Sequence, residues 1–525
     1  DLEERVAELE ATTVRKGNKK VSVTLSGWVV KSFNWWDDGD LDGAIVGDKG
    51  YDLGSRFALT GSAQISPGWS AGYNLTILAT SDLFATSGTL AASNQFAETG
   101  GTFFDGQLNP LYSYIYIKSD TLGALNWGHL SPASDNAAVL ADISGTVIET
   151  NAPFFEGASF KLRPKGGKGL AGLSGLAWED FLRCQGLAVG IGADCWGAAM
   201  PAVRYDSPTW GGFRFETSWG KNTLTPFGST TDNNFWDAAV FYTGDWNSIK
   251  VSAAASYTWI ETGAVTGDEV NNYQVGASVW HKPSGLGVYG YYQHEDTSGS
   301  QATSIGLAGV ELDSIGVGIP LLPAININAG LNWIPGGQPV GVFDNPDTDS
   351  WYIKPFWRKT WSPIGATTIF GEFAQYEDQF AAGTNLCSVV SGNAGALGGF
   401  CAPTPITTGA IPLGPVINGV PVTLELSGSA FPGDIYKGAF VTGSEVERWG
   451  LGVVQEIDSA AMHIWARWQH QEINTDITGV SVDNPVACAL VDENAVPGVC
   501  DVSFTKIKQD WDDWDVFQVG GVIFF

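Results

Sequence analysis

Along residues 203–221, VRYDSPTWGGFRFETSWGK, apolar and polar side chains alternate, break at a Ser-Pro-Thr-Trp-Gly-Gly turn, and alternate again. Val203, Tyr205, Phe213, Phe215 and Trp219 share one face, and Arg204 and Arg214 share the other. A period of two predicts paired strands. Two settings suit such a hairpin. In a soluble sandwich the apolar side meets a core; in a membrane barrel it meets lipid, and the charged side lines a wet lumen.

The same rhythm runs through the chain. Segments 21–36, 55–65, 71–80, 111–118 and 124–130 precede a long irregular stretch at 131–198. Segments 234–244, 249–260, 271–281, 286–295, 350–361, 366–377, 445–456, 459–471 and 511–525 follow the 203–221 hairpin. About 16 strands result, an even number. Turns such as SPGW, SDTLG, DWNS, KPSG and SPIG are tight, whereas the alternate connections are often long, glycine-rich and acidic. That asymmetry predicts an all-β, 16-stranded antiparallel transmembrane barrel with short periplasmic turns and long extracellular loops. A sandwich has no reason to segregate the two kinds of connection.

Composition agrees. A chain of 525 residues exceeds what one soluble core usually holds, yet no linker divides it. The 67 Gly, 22 Trp, 15 Tyr and 27 Phe, with only 16% charged residues, suit one large β structure with aromatic girdles. A net charge of -29 speaks against nucleic acid as a partner. No stretch approaches the roughly 20 consecutive apolar residues of a membrane helix. The lack of an initiator Met and of a leader fits a mature, exported chain.

Three stretches carry a resemblance. SYIYIKSDTLGALNWGHLSPASD is similar to the porin hairpin before the inward-folding third loop, and VRYDSPTWGGFRFETSWG to the hairpin after it. DVFQVGGVIFF places Phe517, Val519, Ile523 and Phe525 on one face and resembles the terminal-Phe signal of proteins inserted into bacterial outer membranes. In order, these resemble proteobacterial general porins, particularly longer alphaproteobacterial forms. The resemblance implies a Gram-negative outer-membrane channel for passive diffusion of ions and small hydrophilic solutes. It also implies a homotrimer embedded in outer-membrane lipid and lipopolysaccharide, and a constriction set by the third loop against basic strand residues. The chain departs from compact porins in its six Cys and in the long 131–198 and 379–443 segments.

A channel needs an electrostatic filter rather than a catalyst. The face opposite each apolar row offers Arg56, Arg204, Arg214, Arg358, Arg448 and Arg467, and the 131–160 segment offers Asp135, Asp142, Glu149 and Glu156. The competing reading is that each Arg bridges a wall neighbour such as Asp206 or Glu216. Nucleophile-elbow, P-loop and dinucleotide motifs are absent, and no His pair has metal-ligand spacing, so no enzyme and no cofactor is expected. The acidic runs DDGDLDG and DNPDTD miss the EF-hand spacing; at most they bind divalent cations weakly beside anionic lipid. Alternative readings are a sugar-selective channel with an aromatic slide, a barrel enzyme or a secreted β-rich adhesin.

Two features lie outside the strand rhythm. Cys184 and Cys195, Cys387 and Cys401, and Cys488 and Cys500 are close in sequence within irregular segments, as loop-stapling disulfides of an oxidising compartment would be. Sequence leaves their connectivity open. At the start, DLEERVAELEATTV puts Leu2, Val6 and Leu9 on a heptad seam. So short a coil needs a preassembled trimer to hold it. The expected organisation is therefore a periplasmic helical segment at 1–18 and a barrel at 19–525, with its constriction loop at about 131–198.

Overall fold

The computed structural model describes residues 21–49, 54–79, 94, 109–150, 157, 160–169, 172–174, 176–182, 199–221, 234–261, 269–298, 347–379, 409–412, 423–426, 435–483 and 501–525. The heptad seam at Leu2, Val6 and Leu9, all six Cys and Glu156 lie outside them.

Eighteen hydrogen-bonded segments form one sheet, and two pairs of segments are single strands broken in the middle, which leaves sixteen strands. In chain order they are β1 (Thr24–Asp37), β2 (Asp42–Gly47 with Arg56–Ser66), β3 (Trp69–Leu78), β4 (Asn109–Ser119), β5 (Gly123–Leu130) and β6 (Met200–Asp206). Next come β7 (Phe213–Lys221), β8 (Asn234–Trp246), β9 (Ile249–Glu261), β10 (Glu269–His281) and β11 (Leu286–Ser298). The circuit ends with β12 (Thr348–Ser362), β13 (Gly365–Glu377), β14 (Ile435–Ile457), β15 (Met462–Asp483) and β16 (Asp501–Ile507 with Trp514–Phe524). Each strand pairs antiparallel with the next, and β1 pairs with β16 from Trp28↔Phe524 to Asp37↔Asp515, closing the barrel. A small separate hairpin pairs Gly409–Pro412 with Thr423–Leu426.

The break in β2 shows how closure survives an interrupted ladder. The first part pairs with the upper half of β1 and the second with its lower half. Between them, Ser55 Oγ accepts from the Val30 N–H (3.1 Å) and donates to its carbonyl (3.2 Å). Asp48 accepts from the Ser55 N–H and shares the single hydroxyl hydrogen of Ser55 with the Val30 carbonyl. A side chain thus satisfies backbone groups that would otherwise be orphaned inside a membrane.

Side-chain exposure inverts the soluble rule. On β7, Phe215 and Trp219 are 42% and 55% exposed on the outside, whereas Glu216 and Ser218 are 5% and 3% exposed on the inside. Ring contacts run round the outer surface near the loop end: Trp35–Phe517, Trp351–Phe373, Phe373–Trp449, Trp236–Tyr257 and Tyr257–Tyr273. Trp69, Trp210, Trp246 and Trp361 sit exposed at the tight turns. Two aromatic girdles flanking an apolar band mark a lipid-facing wall. No helix among the described residues is long and apolar enough to cross a membrane.

Candidate functional site

The connection from β5 to β6 leaves the rim at Ser131 and turns into the barrel. Its residues 133–150 form an arc along the inner wall. The Ala133 N–H donates to Ser218 Oγ on β7, and the Ser134 N–H and hydroxyl donate to Asp237 on β8 (2.8 and 2.7 Å). Thr258 on β9 and Gln274 on β10 donate to Ser134, and the Tyr289 hydroxyl on β11 donates to the Ala138 carbonyl. Gly276 on β10 makes this approach possible: a Cβ there would lie 2.3 Å from the Ala138 carbonyl oxygen.

The arc ends on cations. Lys354 of β12 is fully buried and donates to Asp142, Thr146 Oγ1 (2.8 Å) and Thr150 Oγ1 (2.7 Å), so its ammonium is spent entirely on the loop. Arg467 of β15 donates to the Glu149 carbonyl (2.6 Å), as does Lys49 from the break in β2 (3.2 Å). His463 Nδ1 lies 3.1 Å from the Glu149 carboxylate. Behind them Glu372 of β13 accepts from Arg467 (3.1 and 3.3 Å) and from the Tyr352 hydroxyl (2.8 Å), with Arg448 3.7 Å away. Arg448 is further held over the rings of Tyr352 and Tyr376. Charges this deeply buried persist only with such dense pairing. Asp142, Thr150, Tyr352 and Arg448 border a cavity of about 10 Å³ between arc and wall, room for about one water. Solute cannot pass there.

The other predicted cations lie apart. Arg204 binds Asp206 (2.7 and 3.1 Å) and the Ser131 carbonyl (2.8 Å), and Arg214 binds Glu216 (2.9 Å) while stacking over Phe241. Both lie towards the tight-turn end, and the Arg214 side chain is 44% exposed. Arg358 pairs with Glu456 (2.6 Å) beside Trp280, and Arg56 stacks over Trp28 and donates to the Gly54 carbonyl. Asp135 accepts from Ser131 and Asn136 near the entry of the arc. Lys49, Lys354, Glu372 and Asp237 escaped the reading of the sequence. Lys354 and Glu372 carried a signal, since each stands on the face opposite an apolar row; Lys49, in a strand break, carried none.

Beyond the arc the loop returns over the rim. Arg163 grips Asp38 through both carboxylate oxygens (2.9 Å each), and Lys168 binds Asp40 (2.6 Å). Burial alone would raise the Asp38 carboxyl, but the Arg163 fork, with the Leu41 N–H and the Asn94 amide, holds it below the usual carboxylate range. Lys168 and the Gly169 N–H lower Asp40 likewise. Two acids of DDGDLDG, Asp38 and Asp40, are therefore occupied by basic side chains of the third loop. Elsewhere, His470, Glu472 and Asp513 bring ligand atoms within 4.8 Å of one another. They stand outside the lumen, and the two ring nitrogens of His470 already face Asp515 and Glu472.

The site lies on a chain with recognisable relatives. A family model described as Gram-negative porin matches residues 7–392. The anion-selective porin of Comamonas acidovorans is 13% identical, with 96% of this chain and 100% of that one covered at a TM-score of 0.48. OprB of Pseudomonas putida at high pH is 9% identical, with 100% and 97% covered at 0.46. OmpF of Salmonella typhi in complex with daunomycin is 11% identical, with 98% and 100% covered at 0.45. No curated protein sequence matches. With a family model spanning well over half of a closed barrel whose third loop fills part of the lumen, the chain belongs to the Gram-negative porins, non-enzymatic channels of the outer membrane.

Proposed function

We propose that this porin passes ions and small hydrophilic solutes by passive diffusion along one side of its lumen, between the third-loop arc and the inner wall of β2–β7. One observation carries the reading. The arc runs from β7 round to β15 and buries Lys354, Arg448 and Arg467, whereas the inward residues Thr60, Ser62, Gln64, Asn74, Tyr114 and Tyr116 stay half-buried or exposed. A path with polar walls conducts without a tight binding step. Its fixed charges are those of Arg204, Arg214 and their acidic partners, and the cluster of Arg448, Arg467, Asp142 and Glu149 sets the loop's position rather than the field in the path. In line with the resemblance to alphaproteobacterial general porins, the assembly is a homotrimer in lipopolysaccharide-bearing membrane. The N-terminal heptad and the three local cysteine pairs belong to the same proposal.

Planar bilayers test it. Purified protein should give discrete ohmic steps in simple salt, with conductance scaling with bulk salt. Silence in the bilayer would leave the barrel without this function.

A further inference from the structure

Among the described residues, the side of the lumen that the arc leaves uncovered carries a file of aromatic rings. On β4, Ile115 and Ile117 point to lipid and are exposed there, so Tyr112, Tyr114 and Tyr116 point inward, one at every second residue. Successive rings are about 7 Å apart along the strand. In register on β3 stand Thr76, Asn74 and Gly72, and on β5 Gly128 and Asn126 flank Tyr114 and Tyr116. Gly72 shapes the track: a Cβ there would lie 2.3 Å from the phenol end of Tyr116, so the ring leans over bare backbone and lies along the wall. Asn74 donates to the Tyr114 hydroxyl (3.4 Å) and accepts from Thr76 (2.7 Å). Among the described residues, the inward faces of β3 and β4 carry one charge, Lys118, near the tight turn.

Ring faces beside neutral amides and hydroxyls match one class of solute. A sugar presents an apolar face of C–H groups to an aromatic ring, while its equatorial hydroxyls need donors and acceptors at the edges. Ions gain little from these two strands, whose inward faces carry no acid among the described residues. We propose that Tyr112, Tyr114 and Tyr116 form a binding track for neutral, polyhydroxylated solutes of the short-oligosaccharide class. This rests on the reading of an open path along β2–β7. Because each contact is weak and repeated, the track guides solute without trapping it.

Maltotriose and maltohexaose are the probes, added to single channels in planar bilayers. The unsubstituted protein should show concentration-dependent interruptions of the ion current, longer for maltohexaose. Tyr116→Ala should shorten them roughly two- to tenfold, the worth of one aromatic contact. Tyr116→Phe, which keeps the ring and its place over Gly72, should retain most of the dwell time and control for folding. Ion conduction with no interruption by either sugar overturns the track alone, as do interruptions unchanged by Tyr116→Ala. Absence of ion conduction overturns the channel reading and the track with it.

Discussion

Arg204 and Arg467 look alike in the sequence, each an inward arginine on an alternating strand, yet their surroundings give them different work. Arg467 is 1% exposed, and its guanidinium is divided among Glu372, Gln469 and the Glu149 carbonyl. Its field is cancelled locally, so it holds the loop in place. Arg204 and Arg214 flank the path near the tight turns, and the solvent reaching Arg214 weakens its pairing with Glu216. Replacing both by Gln should leave Asp206 and Glu216 uncompensated in that wall. The reversal potential in a salt gradient should then move towards cation preference. An unmoved reversal potential would place the filter elsewhere.

The lock between the first loop and the returning third loop ties two elements through Asp38 and Arg163. Because the Asp38 carboxyl is held below its ordinary value, its contribution to the lock is complete above the ordinary carboxylate range. It is lost only as pH falls through the depressed value. The loop contact should therefore survive mild acid and open in strong acid, seen as the onset of hydrogen exchange or proteolysis at residues 160–169. Asp38→Asn should open it at neutral pH. Strand-level structure was the legible part of this chain, because lipid on one side and water on the other impose a period of two on each crossing. Each of the sixteen strands overlaps a predicted alternating segment, but Asp42–Gly47 of β2, in the run expected as an acidic loop, and Asp501–Ile507 of β16 lie outside the predicted segments. The ends were less legible: β14 and β15 run from Ile435 and to Asp483, well past the predicted 445–456 and 459–471. Beyond the membrane nothing forces one face to be apolar, so the alternation fades while pairing continues. The inward course of the third loop was expected only from the resemblance, and its anchor on Lys354 depends on contacts more than 200 positions apart, which no local pattern encodes.

For the whole molecule, the barrel is complete without residues 1–20, since β1 pairs along its length with β2 and β16. Deleting residues 1–16 should leave a folded trimer in detergent with only a modest loss of thermal stability, because two heptads add little to contacts between barrels. A truncated protein running wholly as monomer would make the coil the main oligomerising element. A monomeric full-length protein would remove both coil and trimer. The seam between β1 and β16 also has a kinetic meaning. Among the described strands every other neighbour follows its partner in sequence, and this ladder alone joins Trp28 to Phe524 across the whole chain. Closing so long a loop is the least local step of folding. Until it zips, the nascent wall is a curled ribbon with two bare hydrogen-bonding margins, neither of which tolerates lipid. Whatever delivers this chain to the membrane must therefore shelter both margins at once, and release them together.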